Sequence, residues 1–212
     1  MYDFITGFKV FDSSNYLVFA LRVGITKNSA LVVVDMQEDF CEGGSLPVRG
    51  CREIVSKINK YVGYFQRAGL TIVATRDWHP PNHVSFRVRG GPWPPHCVAG
   101  SEGAQFVKGL KLPEDVVVIS KATEPDVEAY SAFTLTPLHY ILAMKGVKRL
   151  FVVGVATDYC VKETAMEALK LGYEVVVLID AVAGVSEETS KKALEELVSS
   201  GAILAVEEDL IR

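Results

Sequence analysis

Three side chains that could together support nucleophilic catalysis follow apolar runs of this sequence. Asp35 ends the run ALVVVD, Lys121 ends VVVISK, and Cys160 comes soon after LFVVGV. A thiol supplies a nucleophile, and a carboxylate can take and return its proton. An ammonium group nearby stabilises both the thiolate and the carboxylate. Each residue alone is weak evidence, because polar residues often end strands for solvation or capping. Their combination favours a catalytic site.

The local sequence around Cys160 predicts a strand followed directly by a helix. Residues 150–155 form a continuous apolar run, as expected for a parallel strand buried on both faces. Helical spacing begins near Thr157, with Thr157 or Asp158 as the N-cap and Gly172 as the stop. Cys160 would then lie in the first helical turn, where backbone N–H groups and the helix dipole lower a thiol pKa from about 8.5. The alternative is a small, buried, inert cysteine.

A second group of side chains has the composition of a metal site. Asp77 and His79 are two residues apart at the end of the run LTIVATRD, so their side chains share one side of an extended segment. His96, in a Trp-Pro-Pro-His turn of the long irregular segment 78–103, could add a third ligand and leave positions open for water or substrate. The alternative is an Asp and His pair that only caps a loop. This ligand set suits zinc, iron or manganese.

The remaining pattern predicts an α/β domain that positions these groups. Strand-like runs alternate with amphipathic helical patterns, which is typical of a doubly wound, mostly parallel six-stranded sheet with helices on both faces. In such a sheet the ligand lies beyond the carboxyl ends of the strands, where the residues above would meet. Asp180 also ends a run and is expected to be structural. The runs are residues 30–35, 70–77, 116–121, 150–155, 174–180 and 202–206, and helical patterns cover 54–65, 135–144, 157–169 and 193–198.

Composition and charge narrow the class of protein. A length of 212 residues suits one main domain, and a net charge of -4 argues against a nucleic-acid or anionic membrane surface, so a small-molecule partner is expected. No apolar run reaches transmembrane length, and the start lacks the features of a secretory signal. The four cysteines form neither a C-x-x-C pair nor a secreted-type framework, which predicts no disulfides and a reducing cytoplasm. Cys41 and Cys97 are expected to have no role.

Residues 1–28 fit this organisation least well. We treat them as an N-terminal extension and residues 29–212 as the main domain. Two apolar segments, FKVF and YLVFALRV, flank turn-forming residues and could make a hairpin packed on the main body. A subunit contact in a homo-oligomer and a segment without a role are equal alternatives.

From about residue 30 onward, the chain resembles the nicotinamidases, also called pyrazinamidases, of the isochorismatase-like cysteine hydrolases. The matching motifs include the strand ends that suggested a site. They are DMQEDFCEGGSLPV at 35–48, TRDWHPPNHVSF at 75–86, GPWPPHCVAG at 91–100, SKATEPDVEAYSAF at 120–133 and GVATDYCV at 154–161. The cysteine motif alone indicates the superfamily, whereas the metal motif and the Trp-Pro-Pro-His turn point to nicotinamidase. The resemblance implies the isochorismatase-like, Rossmann-like three-layer sandwich.

The resemblance also implies catalytic roles at the sheet edge. Asp35, Lys121 and Cys160 would form a triad in which Cys160 attacks the carboxamide carbon, gives a thioester and releases ammonia. Asp35 would protonate the leaving nitrogen and then activate water. A cis peptide bond before Ala156 would direct the backbone N–H groups of Ala156 and Cys160, the oxyanion hole, at the developing oxyanion.

A metal site is implied in the same way. Asp77, His79 and His96 match the ligands of one divalent metal ion, with zinc the first choice and iron or manganese the others. The ion would hold the pyridine nitrogen of the substrate. His83 matches a position near a fourth ligand in some relatives and is expected to support the site.

The substrate pocket is the last feature that the resemblance assigns. Phe40, Trp93 and Tyr130 match aromatic residues that line the ring, and Ala156 lies beside them. For the aromatic residues, plain core packing is the alternative.

Together these expectations describe a hydrolase that converts nicotinamide to nicotinate and ammonia in NAD salvage, with pyrazinamide as a further substrate. The closest alternative is a related hydrolase of another small amide, ureido or carbamoyl compound. A non-catalytic metal- or nucleotide-binding protein has less support, because no G-x-G-x-x-G follows the first strand and the sequence has no P-loop. Fold alone does not separate these classes.

Overall fold

The computed structural model describes residues 5–6 and 22–211, and its main feature is a six-stranded parallel sheet. The strands are β1 (Ile5–Thr6), β2 (Arg22–Gly24), β3 (Ser29–Val34), β4 (Thr71–Asp77), β5 (Val117–Lys121), β6 (Arg149–Val155), β7 (Glu174–Ala183), β8 (Ile203–Ala205) and β9 (Leu210–Ile211). The helices are α1 (Cys51–Arg67), α2 (Leu138–Met144), α3 (Lys162–Lys170) and α4 (Glu187–Ser199). The main sheet has the spatial order β5-β4-β3-β6-β7-β8, which confirms the predicted architecture.

The central strands are apolar throughout because both of their faces are covered. All residues of β3 and β6 are buried, and the two strands pair in parallel along their length. Strands in this position have continuous apolar sequences without polar alternation. Each of the six predicted runs corresponds to one strand of the main sheet. Only β7 is clearly longer than predicted, since it continues past Asp180 to Ala183.

Helices cover both faces of the sheet. On one face α1 packs against β6, where the rings of Phe65 and Phe151 meet edge to face with centroids 5.3 Å apart. On the other face α2, α3 and α4 pack through Leu142, Ala165 and Leu197. Burying a leucine or phenylalanine side chain contributes about 1.5–3 kcal/mol relative to exposure. Within the described residues, none of these helices has the length and apolar character needed to cross a bilayer.

The described part of the N-terminal segment belongs to a second, smaller sheet. In it, β2 pairs antiparallel with β1 and parallel with β9. Val23 of β2 and Leu210 of β9 are buried in the same apolar cluster as α1. The segment FKVF and most of YLVFALRV lie outside the described residues, so the hairpin that we predict for them stays a prediction.

The structure contradicts the expectation that all cysteines are unpaired. Cys41 and Cys51 form a disulfide, with Cα atoms 5.0 Å apart, between a turn that follows β3 and the first residue of α1. Cys97 and Cys160 are free and buried. Gly50, directly before Cys51, has a left-handed φ of 81°, and the spacing of the cysteines does not reveal this turn. The prediction of a chain without disulfides, and of Cys41 as a bystander, was wrong.

Helix α2 offers a matched test of this packing. Leu142 is fully buried, whereas Met144 in the same helix is 71% exposed. Leu142→Ala should lower the free energy of unfolding by about 2–5 kcal/mol, because it removes core contacts and leaves a cavity. Met144→Ala should change that free energy by less than about 0.5 kcal/mol. Urea unfolding followed by far-UV circular dichroism measures both, and equal losses in the two variants would contradict this orientation of α2.

Candidate active site

The carboxyl ends of four adjacent strands meet in one buried cluster. Asp35 follows β3, Asp77 ends β4, Lys121 ends β5, and Cys160 lies in the turn after β6. The Nζ atom of Lys121 is 3.0 Å from Asp35 Oδ2, 2.5 Å from Asp77 Oδ1 and 3.4 Å from Cys160 Sγ. None of the four residues is more than 5% exposed. The structure therefore brings Asp35, Lys121 and Cys160 together and adds Asp77 to the group.

The neighbours of Lys121 maintain its positive charge. Burial by itself lowers the pKa of Lys121, but the Asp35 and Asp77 carboxylates outweigh this effect and raise the pKa well above its usual value. The carbonyl oxygen of Ala129 accepts a further hydrogen bond from Nζ at 3.2 Å. Lys121 is therefore a fixed, buried ammonium group.

Asp35 is held at a bend where β3 ends. Its φ of 46° is left-handed, a region in which Asp occurs more often than most residues. The Thr75 hydroxyl donates a hydrogen bond to Oδ1 at 2.7 Å. Burial raises the pKa of Asp35, Lys121 opposes the rise, and Asp77 adds to it. A carboxylate with a raised pKa is better suited than an ordinary aspartate to take a proton from a thiol.

The Cys160 thiol is in a different electrostatic state from the predicted one. Burial raises the pKa of Cys160 well above its ordinary value, Lys121 lowers it, and the carboxylates of Asp35 and Asp77 raise it. The predicted lowering of this pKa was wrong, because the helical pattern does not reveal a buried turn beside two carboxylates. A raised pKa favours the protonated thiol, so attack by this sulfur would require a proton acceptor nearby. A carboxylate oxygen of Asp35 lies within 4.8 Å of the sulfur.

The segment that carries Cys160 is a π-helical turn, Thr157–Val161, that continues into α3. Such turns are rare and are frequently found at functional sites. Cys160 lies in this first turn, as predicted, and Gly172, with φ of 87°, follows the end of α3. The residue before the turn is Ala156, which has no capping side chain, so the predicted N-cap at Thr157 or Asp158 was wrong.

Asp158 instead ties the turn to the connection between β7 and α4. Its Oδ1 atom accepts a hydrogen bond from the Val185 N–H at 3.1 Å, and its Oδ2 atom accepts one from the Thr189 hydroxyl. On the other side of the turn, the peptide bond between Val155 and Ala156 is cis, as the resemblance implied.

Asp77, His79 and His96 form a second buried cluster, which shares Asp77 with the first. One potential ligand atom from each lies within 4.8 Å of the others. The Nδ1 atoms of His79 and His96 are 3.0 Å and 2.8 Å from the carbonyl oxygens of His96 and Pro94. These contacts fix both rings and leave Nε2 of each as the ligand atom. Burial lowers the pKa of His79 to about 3, which keeps it in the neutral form that binds metals.

His83 packs beside the metal cluster and has both ring nitrogens occupied. Its Nδ1 atom is 2.7 Å from the Ser85 hydroxyl, and its Nε2 atom is 3.0 Å from the Val127 carbonyl oxygen. Its ring centroid lies 4.4 Å from that of His79. In this arrangement His83 packs against the His79 ring, and both of its ring nitrogens make hydrogen bonds within the protein.

Aromatic side chains cluster beside the turn that carries Cys160. Trp93 Nε1 donates a hydrogen bond to the Tyr130 hydroxyl at 2.9 Å, and the two rings lie 5.2 Å and 5.6 Å from the Tyr159 ring. Phe40 lies beside the metal cluster, with its ring centroid 5.5 Å from that of His96. Tyr159 was not identified from the sequence, because an aromatic residue next to a cysteine carries no motif of its own. The group has the composition of a pocket for an aromatic ring.

Asp180 does not belong to this site. Its Oδ1 atom accepts a hydrogen bond from the Tyr61 hydroxyl at 2.7 Å, and its Oδ2 atom is 3.1 Å from Lys57 Nζ. Both partners are in α1, so the carboxylate links α1 to β7. This is a structural contact made through side chains.

Known proteins are similar to this chain in both fold and sequence. The model of the isochorismatase domain matches residues 29–209. Pyrazinamidase of Pyrococcus horikoshii, solved in complex with zinc, is 56% identical with a TM-score of 0.83, over 84% of this chain and 99% of that one. PnC1 from L. infantum, solved in complex with nicotinate, is 40% identical with a TM-score of 0.84, over 90% of this chain and 99% of that one.

Relatives known by sequence agree with these structures. The nicotinamidase/pyrazinamidase of Mycobacterium tuberculosis is 41% identical over 181 residues, which cover 79% of this chain and 93% of that protein. The family match extends over nearly all of the main sheet and includes every residue of the two buried clusters. The chain therefore belongs to the isochorismatase domain family.

Proposed function

We propose that this protein hydrolyses nicotinamide to nicotinate and ammonia. The observation that carries the proposal is the contact of Lys121 with both Asp35 and Cys160, directly beside the cluster that contains His79 and His96. The first group supplies a nucleophile and a proton acceptor, and the second can hold a metal ion for a ring nitrogen. The likeness to a zinc-bound pyrazinamidase and to a nicotinate-bound protein supports this substrate.

The first half of the reaction forms a thioester. The proton of Cys160 Sγ moves to the Asp35 carboxylate, and the sulfur forms a bond to the carboxamide carbon while the C=O π electrons move onto oxygen. When these electrons return, the C–N bond breaks, and the leaving nitrogen takes the proton from Asp35 and departs as ammonia. Lys121 stays charged and stabilises the transient thiolate.

The second half of the reaction hydrolyses the thioester. Asp35, now a carboxylate again, takes a proton from water as the water oxygen bonds to the acyl carbon. The C–S bond then breaks, the sulfur recovers a proton from Asp35, and nicotinic acid leaves and gives its carboxyl proton to solvent, which yields nicotinate. Each proton that Asp35 takes is returned within the same half-reaction, so the free enzyme is regenerated.

Backbone N–H groups are the proposed hydrogen-bond donors to the oxyanion that forms in each half of the reaction. Ala156 directly precedes the π-helical turn and Cys160 lies in it. The first N–H groups of a helix have no acceptor within the helix, so they are available to a ligand. One donor of this kind contributes roughly 3–4 kcal/mol to transition-state stabilisation.

The metal cluster fits one divalent cation. One carboxylate and two imidazoles leave open coordination positions, as sites that bind substrate require. Both imidazoles already have their Nδ1 atoms engaged by carbonyl oxygens, which is the usual support of a metal-binding histidine. We assign Asp77, His79 and His96 as the ligands, with zinc the first choice and iron or manganese also suited. When bound, the cation supplies a Lewis acid that holds the pyridine nitrogen and fixes the ring.

The ring pocket is assigned to Phe40, Trp93, Tyr130 and Ala156. Support comes from the hydrogen bond between Trp93 and Tyr130, which fixes both side chains, and from the contact of Phe40 with His96. Rigid aromatic walls of this kind bind a planar ring at low cost in side-chain entropy.

The proposed setting of the enzyme follows from its reaction. Conversion of nicotinamide to nicotinate belongs to NAD salvage, and pyrazinamide offers the same carboxamide on a similar ring. We keep the cytoplasm as the proposed compartment, although the Cys41–Cys51 disulfide removes the argument that was based on unpaired cysteines. We assign the reaction to residues 29–212, with residues 1–28 as an extension. Hydrolysis of another small amide, ureido or carbamoyl compound is the alternative, which would not need a metal to hold a ring nitrogen.

The nucleophile can be tested with a pair of cysteine variants. Cys160→Ala should reduce ammonia release from nicotinamide to background, because no other group replaces the thiol, while circular dichroism shows an unchanged fold. Cys97→Ala is the control, since Cys97 is also a buried free thiol, and it should keep most of the activity. Turnover retained in Cys160→Ala, or lost equally in both variants, would contradict the mechanism.

The metal can be tested on the same protein by chelation. Ammonia release from nicotinamide should fall when the metal is removed and return when zinc is added, with metal content followed by elemental analysis. His79→Ala should lose both metal and activity, whereas His139→Ala, at an exposed histidine, should keep both. Full activity in metal-free protein would contradict the assignment of a metal to this site. No activity in metal-loaded, reduced protein would move the substrate to a ureido or carbamoyl compound.

A further inference from the structure

Gln37 has a position that none of the roles above explains. It follows Asp35 by two residues in the segment that leaves β3, and it is fully buried. Its side chain carries no charge and takes no part in proton transfer. A buried polar side chain is unfavourable unless its hydrogen-bonding groups are satisfied, so its partners indicate what it does.

The Gln37 side chain binds the backbone of Asp77 in both directions. The Asp77 N–H donates a hydrogen bond to Gln37 Oε1 at 2.8 Å, and Gln37 Nε2 donates one to the Asp77 carbonyl oxygen at 2.8 Å. The second hydrogen of Nε2 is donated to the Ala104 carbonyl oxygen at 3.0 Å. A carboxamide and a peptide group both present one donor and one acceptor in a plane, so Gln37 acts as an additional strand neighbour.

Asp77 needs such a neighbour because β3 ends too early. The last backbone contact between these strands joins the Asp35 N–H to the Thr75 carbonyl oxygen at 3.2 Å, and the chain then bends at Asp35. Residues two apart on a strand present their backbone groups to the same side. The N–H and C=O of Asp77 therefore face the place where β3 would have continued, and Gln37 fills it.

Asp77 is also the residue that the two clusters share. Its Oδ1 atom is 2.5 Å from Lys121 Nζ, and its carboxylate belongs to the group with His79 and His96. A carboxylate that must meet both an ammonium group and a metal ion tolerates little movement of its backbone. The same segment supports the opposite side of the cluster, because Asp39 Oδ2 accepts a hydrogen bond at 2.7 Å from the N–H of Cys97, the residue after His96.

We infer that Gln37 is a positioning residue for the metal centre, which fixes the backbone of Asp77 by replacing the missing strand neighbour. The inference rests on the proposed function, since it takes Asp77 as a metal ligand. Gln37 itself touches neither the metal nor the reacting atoms. Outer partners of metal ligands typically change metal affinity by about 10–100-fold when they are removed.

The test compares two glutamine variants of the full-length protein. Gln37→Met keeps the approximate length of the side chain and removes its hydrogen bonds. Gln105→Met is the matched control, because Gln105 is exposed and adjoins Ala104 in the same loop. Competition with a chromogenic chelator at a temperature where all proteins are folded should give zinc binding weaker by about 10–100-fold in Gln37→Met and unchanged in Gln105→Met.

A spectroscopic measurement separates positioning from a general loss of stability. The visible absorption of the cobalt-substituted protein, recorded at saturating cobalt, reports the geometry of the ligands. It should differ from wild type in Gln37→Met and not in Gln105→Met. A spectrum and a zinc affinity both equal to those of wild type in folded Gln37→Met would overturn the inference.

A second variant covers the case in which Gln37→Met does not fold. Gln37→Glu keeps an acceptor for the Asp77 N–H and removes the donated bonds of the amide, so its zinc affinity should also be reduced, and wild-type affinity in it would count against the inference. If the wild-type protein bound no zinc, the proposed metal site would fall and this inference with it. Zinc bound by wild type and equally well by the variants would overturn the inference alone.

Discussion

The site depends on one interaction, the contact of the buried Lys121 ammonium group with the carboxylates of Asp35 and Asp77. Transferring a lysine charge from water to a protein interior is unfavourable by several kcal/mol unless partners surround it. Here Asp35 and Asp77 supply two carboxylates within 3.0 Å of the ammonium nitrogen. Conversely, each carboxylate depends on the lysine. Burying any one of the three charged groups alone would be unfavourable. The ends of β3, β4 and β5 are therefore held together by ion pairs as well as by the backbone hydrogen bonds of the sheet.

The parallel sheet explains why these groups meet. Consecutive places in the order β5-β4-β3-β6 carry Lys121, Asp77, Asp35 and the turn with Cys160. Strands in such a sheet are about 4.8 Å apart, which is close to the spacing that ion pairs and hydrogen bonds between neighbouring strand ends require. The helices bury the two faces and leave the carboxyl edge to loops, where side chains can vary without disturbing the core.

Much of this arrangement could be predicted from the sequence, because its signals are local. The buried strands have continuous apolar runs, and the Asp77 and His79 pair follows directly from alternation along a strand. The raised pKa of Cys160 could not be predicted, since it results from burial and from two carboxylates that are distant in sequence. The Cys41–Cys51 disulfide was missed because the spacing of the two cysteines does not reveal the turn, left-handed at Gly50, that lies between them. Tyr159 and Gln37 were missed because neither belongs to a spacing pattern typical of a nucleophile, a proton acceptor or a metal ligand.

The hydrogen bonds of Asp158 link the turn that carries Cys160 to the segment between β7 and α4, which contributes no side chain to either buried cluster. Through the Val185 N–H and the Thr189 hydroxyl, the turn that carries Cys160 is anchored to the start of α4. Gly184 lies so close to this anchor that a Cβ atom there would fall 3.1 Å from Asp158 Oδ1 and 2.0 Å from Ser190 Oγ. The connection from β7 to α4 therefore helps to hold the turn that carries Cys160, so a larger side chain at Gly184 would disturb that turn as well as the connection itself.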